Sequence, residues 1–198
     1  MTKYIRKTSQ ERVKEILNAA LKVFLKKGYS NATMEDIINE TSLSKGGFYY
    51  YFKSKEDIFL MILEEDTKRN INFIYNLDLD GSNKEILDVF SFKVLEIIVN
   101  SQKEDGLYPM FLLETMSNPK FSEFSSNTQE KYLTIISDKL YSSLHDVDKV
   151  ELQNKIRFLS DVFHSIKLYS TIFNKNTSFE ENYKLIQEFF HLILSEFY

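Results

Sequence analysis

Glycine and proline punctuate this chain instead of scattering through it, and that pattern limits what it can fold into. There are five glycines and two prolines in 198 residues. Gly28, Gly81 and Gly106 fall between segments of helical periodicity, and Pro109 and Pro119 bracket a short segment. Gly46 and Gly47 are the exception. Nowhere does an apolar–polar alternation persist as a half-buried strand requires, so the reading is all-α. A hydrophobic fraction of 43% with 15% aromatics supplies a real core. No apolar run approaches the roughly 18 residues of a membrane span. The basic N-terminus, Met-Thr-Lys-Tyr-Ile-Arg-Lys, is followed by no apolar signal core. The absence of cysteine rules out disulfides and thiolate metal sites and fits a reducing compartment. A cytoplasmic protein is expected.

Local signals place the helices. Thr8 and Glu11 have capping-box spacing at the start of a helix running from about Gln10 to Lys27. Val13, Ile16, Leu17, Ala20, Leu21 and Phe24 give that helix one apolar face. Lys26 and Lys27 suit its C-terminal dipole, and Gly28 offers a left-handed stop. Thr33, with Asp36 three residues on, caps a second helix. Ser44 caps a third over Lys45 to about Tyr51, and Ser54 caps a long fourth. Three short helices in about fifty residues is helix–turn–helix geometry. Further helices are expected near 55–77, 83–102, 107–117, 120–144, 148–174 and 179–197, nine in all. The breaks between them are Asp78–Ser82, Glu104–Gly106, Asn118-Pro119, His145–Val147 and Asn176–Ser178.

Residues 44–56 combine two adjacent glycines, three adjacent tyrosines and three lysines. A core helix has no use for the lysines, and a solvated helix none for the aromatic run. A surface pressed against a polyanion uses all three: lysine charge, tyrosine hydroxyls for phosphate oxygens, glycine for close backbone approach. Residues 1–55 hold 11 Lys+Arg against 5 Asp+Glu, whereas the remainder holds 14 against 24. A basic head on an acidic body leaves only the head suited to an anionic partner, which points to nucleic acid.

Residues 9–58 resemble the DNA-binding domain of the TetR family of bacterial transcriptional regulators. The resemblance rests on Val13, Ala20, Phe24, Gly28-Tyr29, Ala32-Thr33, Ile37, Ser44-Lys45-Gly46, Tyr49, Tyr51-Phe52 and Ser54-Lys55-Glu56. It implies a helix–turn–helix domain at 1–54 and a helical ligand-binding and dimerisation domain at 55–198. It also implies DNA contacts from Thr33, Ser44, Lys45, Gly46, Tyr49, Tyr50 and Lys55. Thr33 would turn its backbone amide and hydroxyl to a phosphate. Lys45, at the N-terminal end of the recognition helix, could donate to guanine O6 and N7. Gly46 would let the helix backbone touch DNA, Tyr49 and Tyr50 would meet phosphates, and Lys55 would anchor one more. Phe48 and Phe52 are expected in the core, and Tyr29 in packing. Tyr51 stands where many relatives carry histidine, and both core and DNA-facing positions remain open for it. Gly47 departs from the pattern, standing where relatives often have a base-touching side chain. With no Arg, Asn or Gln in 43–52, little base-reading chemistry remains beyond Lys45.

The C-terminal part carries no motif of its own. The resemblance implies dimerisation through helices 148–174 and 179–197. The latter, with Leu185, Ile186, Phe189, Phe190, Leu192, Ile193 and Phe197, is apolar on more than one face and so needs two partners. A small apolar or aromatic effector would sit among Phe90, Met110, Phe111, Met116, Tyr132, Phe163 and His164. His164 is the sharpest polar candidate, although a histidine so placed is more often a satisfied core or interface residue. The expected function is a homodimeric repressor that binds a palindromic DNA operator and is released by its effector. An activator, or a helical enzyme or lipid carrier that borrowed the head, is the alternative. No catalytic constellation favours an enzyme: His145, His164 and His191 are far apart in sequence and no phosphate-loop pattern occurs. No cofactor or metal is expected.

Overall fold

The computed structural model describes residues 7–100, 106–172 and 182–198. Among them are nine α-helices: α1 (Ser9–Lys27), α2 (Met34–Asn39), α3 (Lys45–Tyr51), α4 (Lys55–Tyr75), α5 (Asn83–Asn100), α6 (Leu107–Thr115), α7 (Pro119–Ser143), α8 (Lys149–Ile172) and α9 (Tyr183–Leu194). A short 3-10 turn, Ser195–Phe197, follows α9. The expected break at Asn176–Ser178, Phe179 and the Glu104–Asp105 part of the preceding break lie outside the described residues, as does the basic stretch before Lys7.

The chain divides into two compact units, Met1–Thr67 and Lys68–Tyr198. The division falls inside α4. Ile58, Phe59 and Ile62 in the first two turns of α4 are buried, and the Phe59 ring packs on Phe24 and Tyr29 of the same unit.

In the N-terminal unit, α1 starts with a complete capping box, Thr8 and Glu11 each accepting from the other's backbone amide. It ends at Gly28, whose φ of 77° needs glycine. Its ψ of 155° turns the chain into extended backbone, so the stop is not the left-handed helical one expected. Phe24, Tyr29 and Phe59 meet with ring centroids 4.9–5.6 Å apart, tying α1, its exit and α4 into one aromatic cluster. Phe48 and Phe52 are buried, as their spacing required, and Tyr29 packs inside.

In the C-terminal unit, α7 packs along α8 and α5 along α9. Ile86, Leu87, Phe90, Leu133, Leu140, Leu152, Leu159, Phe163, Ile186 and Phe190 belong to one buried cluster. Asn118 accepts from the Lys120 amide and, with Pro119 behind it, starts α7. The Asn83 amide group bonds the backbone N–H and C=O of His145 at 2.8 and 2.9 Å, pinning the start of α5 to the α7–α8 loop. Asp148 caps α8 through the Glu151 amide, so the His145–Asp148 cluster is a helix start.

Candidate nucleic-acid interface

The helix–turn–helix is α2, the 41–43 turn and α3, held from both sides. On one side stands Glu15 of α1. Its carboxylate accepts from the Ser42 hydroxyl (2.6 Å) and amide (2.8 Å), from Arg12 (2.9 Å) and from Lys7 (3.0 Å). These bonds, the Ser42 hydroxyl foremost, hold its pKa down to about 2 despite partial burial. Arg12 also donates to the Ser42 hydroxyl. The turn between the two short helices is thereby clamped to α1. Sequence periodicity gave no sign of this, because Glu15 and Ser42 are 27 residues apart.

The predicted contact residues fall into two groups. Ser44, Lys45, Gly46 and Tyr50 are exposed and Tyr49 is half-buried, all at or in α3. The Ser44 hydroxyl accepts from the Gly47 amide, capping the helix and leaving its own proton to donate. A β-carbon built on Gly46 meets nothing within 4 Å, whereas one on Gly47 meets the Ser44 hydroxyl at 3.3 Å. Tyr50 is 78% exposed, its ring edge-on to Tyr51, which is half-buried. Lys45 makes no hydrogen bond or ion pair among the described residues, so its charge remains free for a partner.

Thr33 and Lys55 form the other group, and both bond within the chain. The Thr33 hydroxyl and amide both donate to the Asp36 carboxylate, at 2.9 and 3.0 Å, and the hydroxyl accepts from the Asp36 amide. Asp36, with Lys27 at 2.5 Å, has its pKa lowered to about 2 by that ion pair first and by Thr33 next. The Lys55 ammonium points inward, donating to the carbonyls of Tyr29 (2.7 Å), Ala32 (2.9 Å) and Ser30 (3.2 Å).

Residues 16–62 match the family described as bacterial regulatory proteins, tetR family. Over those residues the N-terminal unit is similar to the TetR family. Against three helix–turn–helix transcriptional regulators of Bacillus subtilis it is 29–42% identical, but it spans only 30–44% of their length. The negative transcriptional regulator of the biofilm operon icaADBC, IcaR of Staphylococcus aureus, is 24% identical over 177 residues, 88% of each chain. The structure of Salmonella enterica GusR superposes with a TM-score of 0.74 at 19% identity, covering 96% of this chain and 98% of that one. FadR from Bacillus subtilis in complex with stearoyl-CoA gives a TM-score of 0.69 at 18% identity, covering 89% and 96%. These structural likenesses show that this chain shares their fold.

In the C-terminal unit, the predicted effector residues are distributed as follows. Phe90 and Phe163 lie in the buried cluster, with half-buried Tyr132 packed against it. Phe111 is buried elsewhere, its ring 6.0 Å from those of Phe121 and Phe124, and Met110 is half-buried. Met116 is 84% exposed, because α6 ends at Thr115 and leaves it in the connection to α7. His164 is also exposed, donating from Nδ1 to the Ser160 carbonyl of its own helix at 2.7 Å. Its ring lies 5.8 Å from Tyr108, whose phenol burial pushes up to about 12. Met116 and His164 thus lie on the surface of the single chain.

The apolar excess of the last two helices separates into two faces. Ile156, Leu159, Phe163, Ile186, Phe190 and Phe197 are buried within the chain. Val150, Phe158, Leu185 and Leu192 are 50–69% exposed. A groove of about 410 Å³ runs between them, lined by Phe158, Leu192, Ile193, Lys155, Glu151, Asn154 and Glu196. Lys155 bridges its walls, donating to the Ile193 carbonyl and to Glu196.

Proposed function

We propose that this chain is a homodimeric transcriptional repressor that reads a palindromic operator with α3 and releases it when a small apolar effector binds the C-terminal unit. The observation that carries the DNA-binding part is the open face of α3. It presents an unpaired lysine, an exposed tyrosine and a glycine over which no side chain lies. Phosphate contacts from Ser44, Tyr49 and Tyr50 would position the helix, and Lys45 would read a guanine edge. With so few base-reading groups, DNA deformability supplies part of the selectivity.

The exposed row Val150, Phe158, Leu185 and Leu192 supports dimerisation through α8 and α9. Large apolar side chains left bare on adjacent packed helices fit a second copy of the same face. The repressor sense follows the likeness to IcaR. The effector would occupy the region of Phe90, Tyr132 and Phe163 between α5, α7 and α8, by loosening the buried cluster. The stearoyl-CoA complex of a protein with this fold supports an apolar chain as its class. It would release DNA by favouring a conformer with the wrong spacing of the two heads.

The test is fluorescence anisotropy of the full chain on a duplex selected from a random library, against a scrambled duplex over a salt series. Tighter binding to the selected duplex, relieved by a saturated acyl-CoA, is the expected result. Equal affinity for both duplexes would remove the regulator reading.

A further inference from the structure

We propose that Glu15 is a positioning residue for DNA reading: from α1, through Ser42, it fixes the 41–43 turn and so the direction in which α3 presents its open face. On its own α3 is a weak element to aim. It has seven residues, two of them glycine, and among them only Phe48 is buried. Glycine gives up more backbone freedom than any other residue when a helix forms. The direction of α3 therefore depends on what holds the turn before it. Each backbone amide of that turn has a partner. The Thr41 amide donates to the Ile38 carbonyl at 2.9 Å and the Leu43 amide to the Thr41 hydroxyl at 3.3 Å, so both stay within α2 and the turn. The middle amide, that of Ser42, goes to another helix, donating to Glu15 Oε1 at 2.8 Å. The Ser42 hydroxyl donates to the same oxygen at 2.6 Å.

Arg12 closes a triangle, its Nη1 donating both to Glu15 Oε2 and to the Ser42 hydroxyl, and Lys7 brings a second cation to Oε2. The Glu15 side chain is only 15% exposed, so water competes little for the carboxylate, and its bonds belong to the stronger, charge-assisted class. With the turn tied to α1, the ordering cost of α3 is met in the free protein before DNA arrives. Charge and positioning predict opposite signs for the loss of this carboxylate. Glu15→Gln removes a negative charge from the head and frees Lys7 and Arg12. By charge alone the variant binds DNA more tightly, and its log K against log salt steepens by about 0.9 for each cation that gains a phosphate. By positioning it binds more weakly: the turn is no longer held, only a fraction of molecules present α3 correctly, and the apparent affinity falls by that fraction.

This inference rests on the DNA-binding reading above, and its test separates the two. Glu15→Gln, Ser42→Ala and the double variant would be compared with the wild-type full chain by anisotropy on the selected duplex over a salt series. The temperature is one at which circular dichroism shows all four proteins folded. Glu15→Gln is expected to lose at least about fivefold in affinity, the scale of a weakened charge-assisted bond. Ser42→Ala should also bind more weakly, and the double variant should lose less than the product of the two single losses, because both changes cut the same tie. Tighter or unchanged binding by Glu15→Gln overturns the proposal, and so do single losses that simply multiply. Should Glu15→Gln fail to fold, Ser42→Ala at its exposed turn position decides: unchanged affinity there overturns the proposal. Amide hydrogen exchange on the free Glu15→Gln protein reads the tie without DNA. The Ser42 amide is expected to exchange about tenfold faster or more, while the middle of α1 keeps its protection. Unchanged exchange at Ser42 overturns the tie, whereas failure of the wild type to bind any duplex overturns only the DNA-binding reading.

Discussion

Replacing Gly46 by alanine should make the protein more stable and a worse DNA binder, an outcome opposite in sign to that of an ordinary damaging substitution. Gly46 is the second residue of the seven-residue α3, with no positive φ. Alanine is favoured over glycine in a helix by about 0.5–1 kcal/mol, because glycine loses more backbone freedom on folding. Nothing within 4 Å opposes the new β-carbon, so this gain is kept whole. A gain of that size raises the melting temperature of a chain this long by about 1–4 °C. If the bare backbone at 46 lies against DNA, the same methyl fills the gap between helix and duplex. Overpacking a fitted contact costs about 1–3 kcal/mol, or roughly a fivefold to 150-fold loss of affinity. Thermal denaturation and anisotropy on the selected duplex measure both quantities on one sample. Unchanged affinity alongside raised stability would refute the argument, because the open face at Gly46 would then not be the face that meets DNA. Gly47→Ala is the internal control. There the β-carbon comes 3.3 Å from the capping hydroxyl of Ser44, so crowding offsets the helix gain and stability should change little.

Glu15→Gln should destabilise the head at neutral pH, with the difference from wild type shrinking on acidification. The folded pKa near 2 lies below the ordinary 4.5, so the stabilisation is complete above about 4.5 and lost as pH falls toward 2. Melting curves of both proteins at pH 7 and pH 3 test this; a pH-independent difference would contradict it. Leu192→Glu, on a side chain 69% exposed in the single chain, should convert a dimer to monomer in sedimentation velocity while leaving helical circular dichroism intact. Lys45→Ala should relax base preference at one position per half-site in binding to a panel of single-substituted duplexes, which a pure phosphate contact would not do.

Much of this fold is written in local signals that act over three or four residues. The Thr8–Glu11 box, the Thr33 and Ser44 caps and the Asn118-Pro119 start act within one helical turn, so the sequence alone places those helices. Burial of Phe48 and Phe52 follows from their spacing in the same way, as does the motif that marks the head. What the sequence could not settle was direction: which way a long polar side chain turns once its helix is placed. Lys45 and Lys55 are both lysines at the first residue of a helix, and residue type and position make both look like anchors for an anion. The tertiary structure separates them, because α1, its exit loop and α4 bring three carbonyls around one ammonium and leave the other bare. The same holds in the C-terminal unit. Periodicity showed that α9 was apolar on two faces, but only its packing against α5 and α8 decided that Ile186 and Phe190 are covered and Leu185 and Leu192 are not. Met116 and His164 look like pocket residues by chemistry and lie on the surface because α6 ends and α8 turns where they do. Capping and periodicity are short-range and therefore legible in one dimension. The partner of a lysine or the cover of a leucine comes from residues tens of positions away, which only the folded chain brings together.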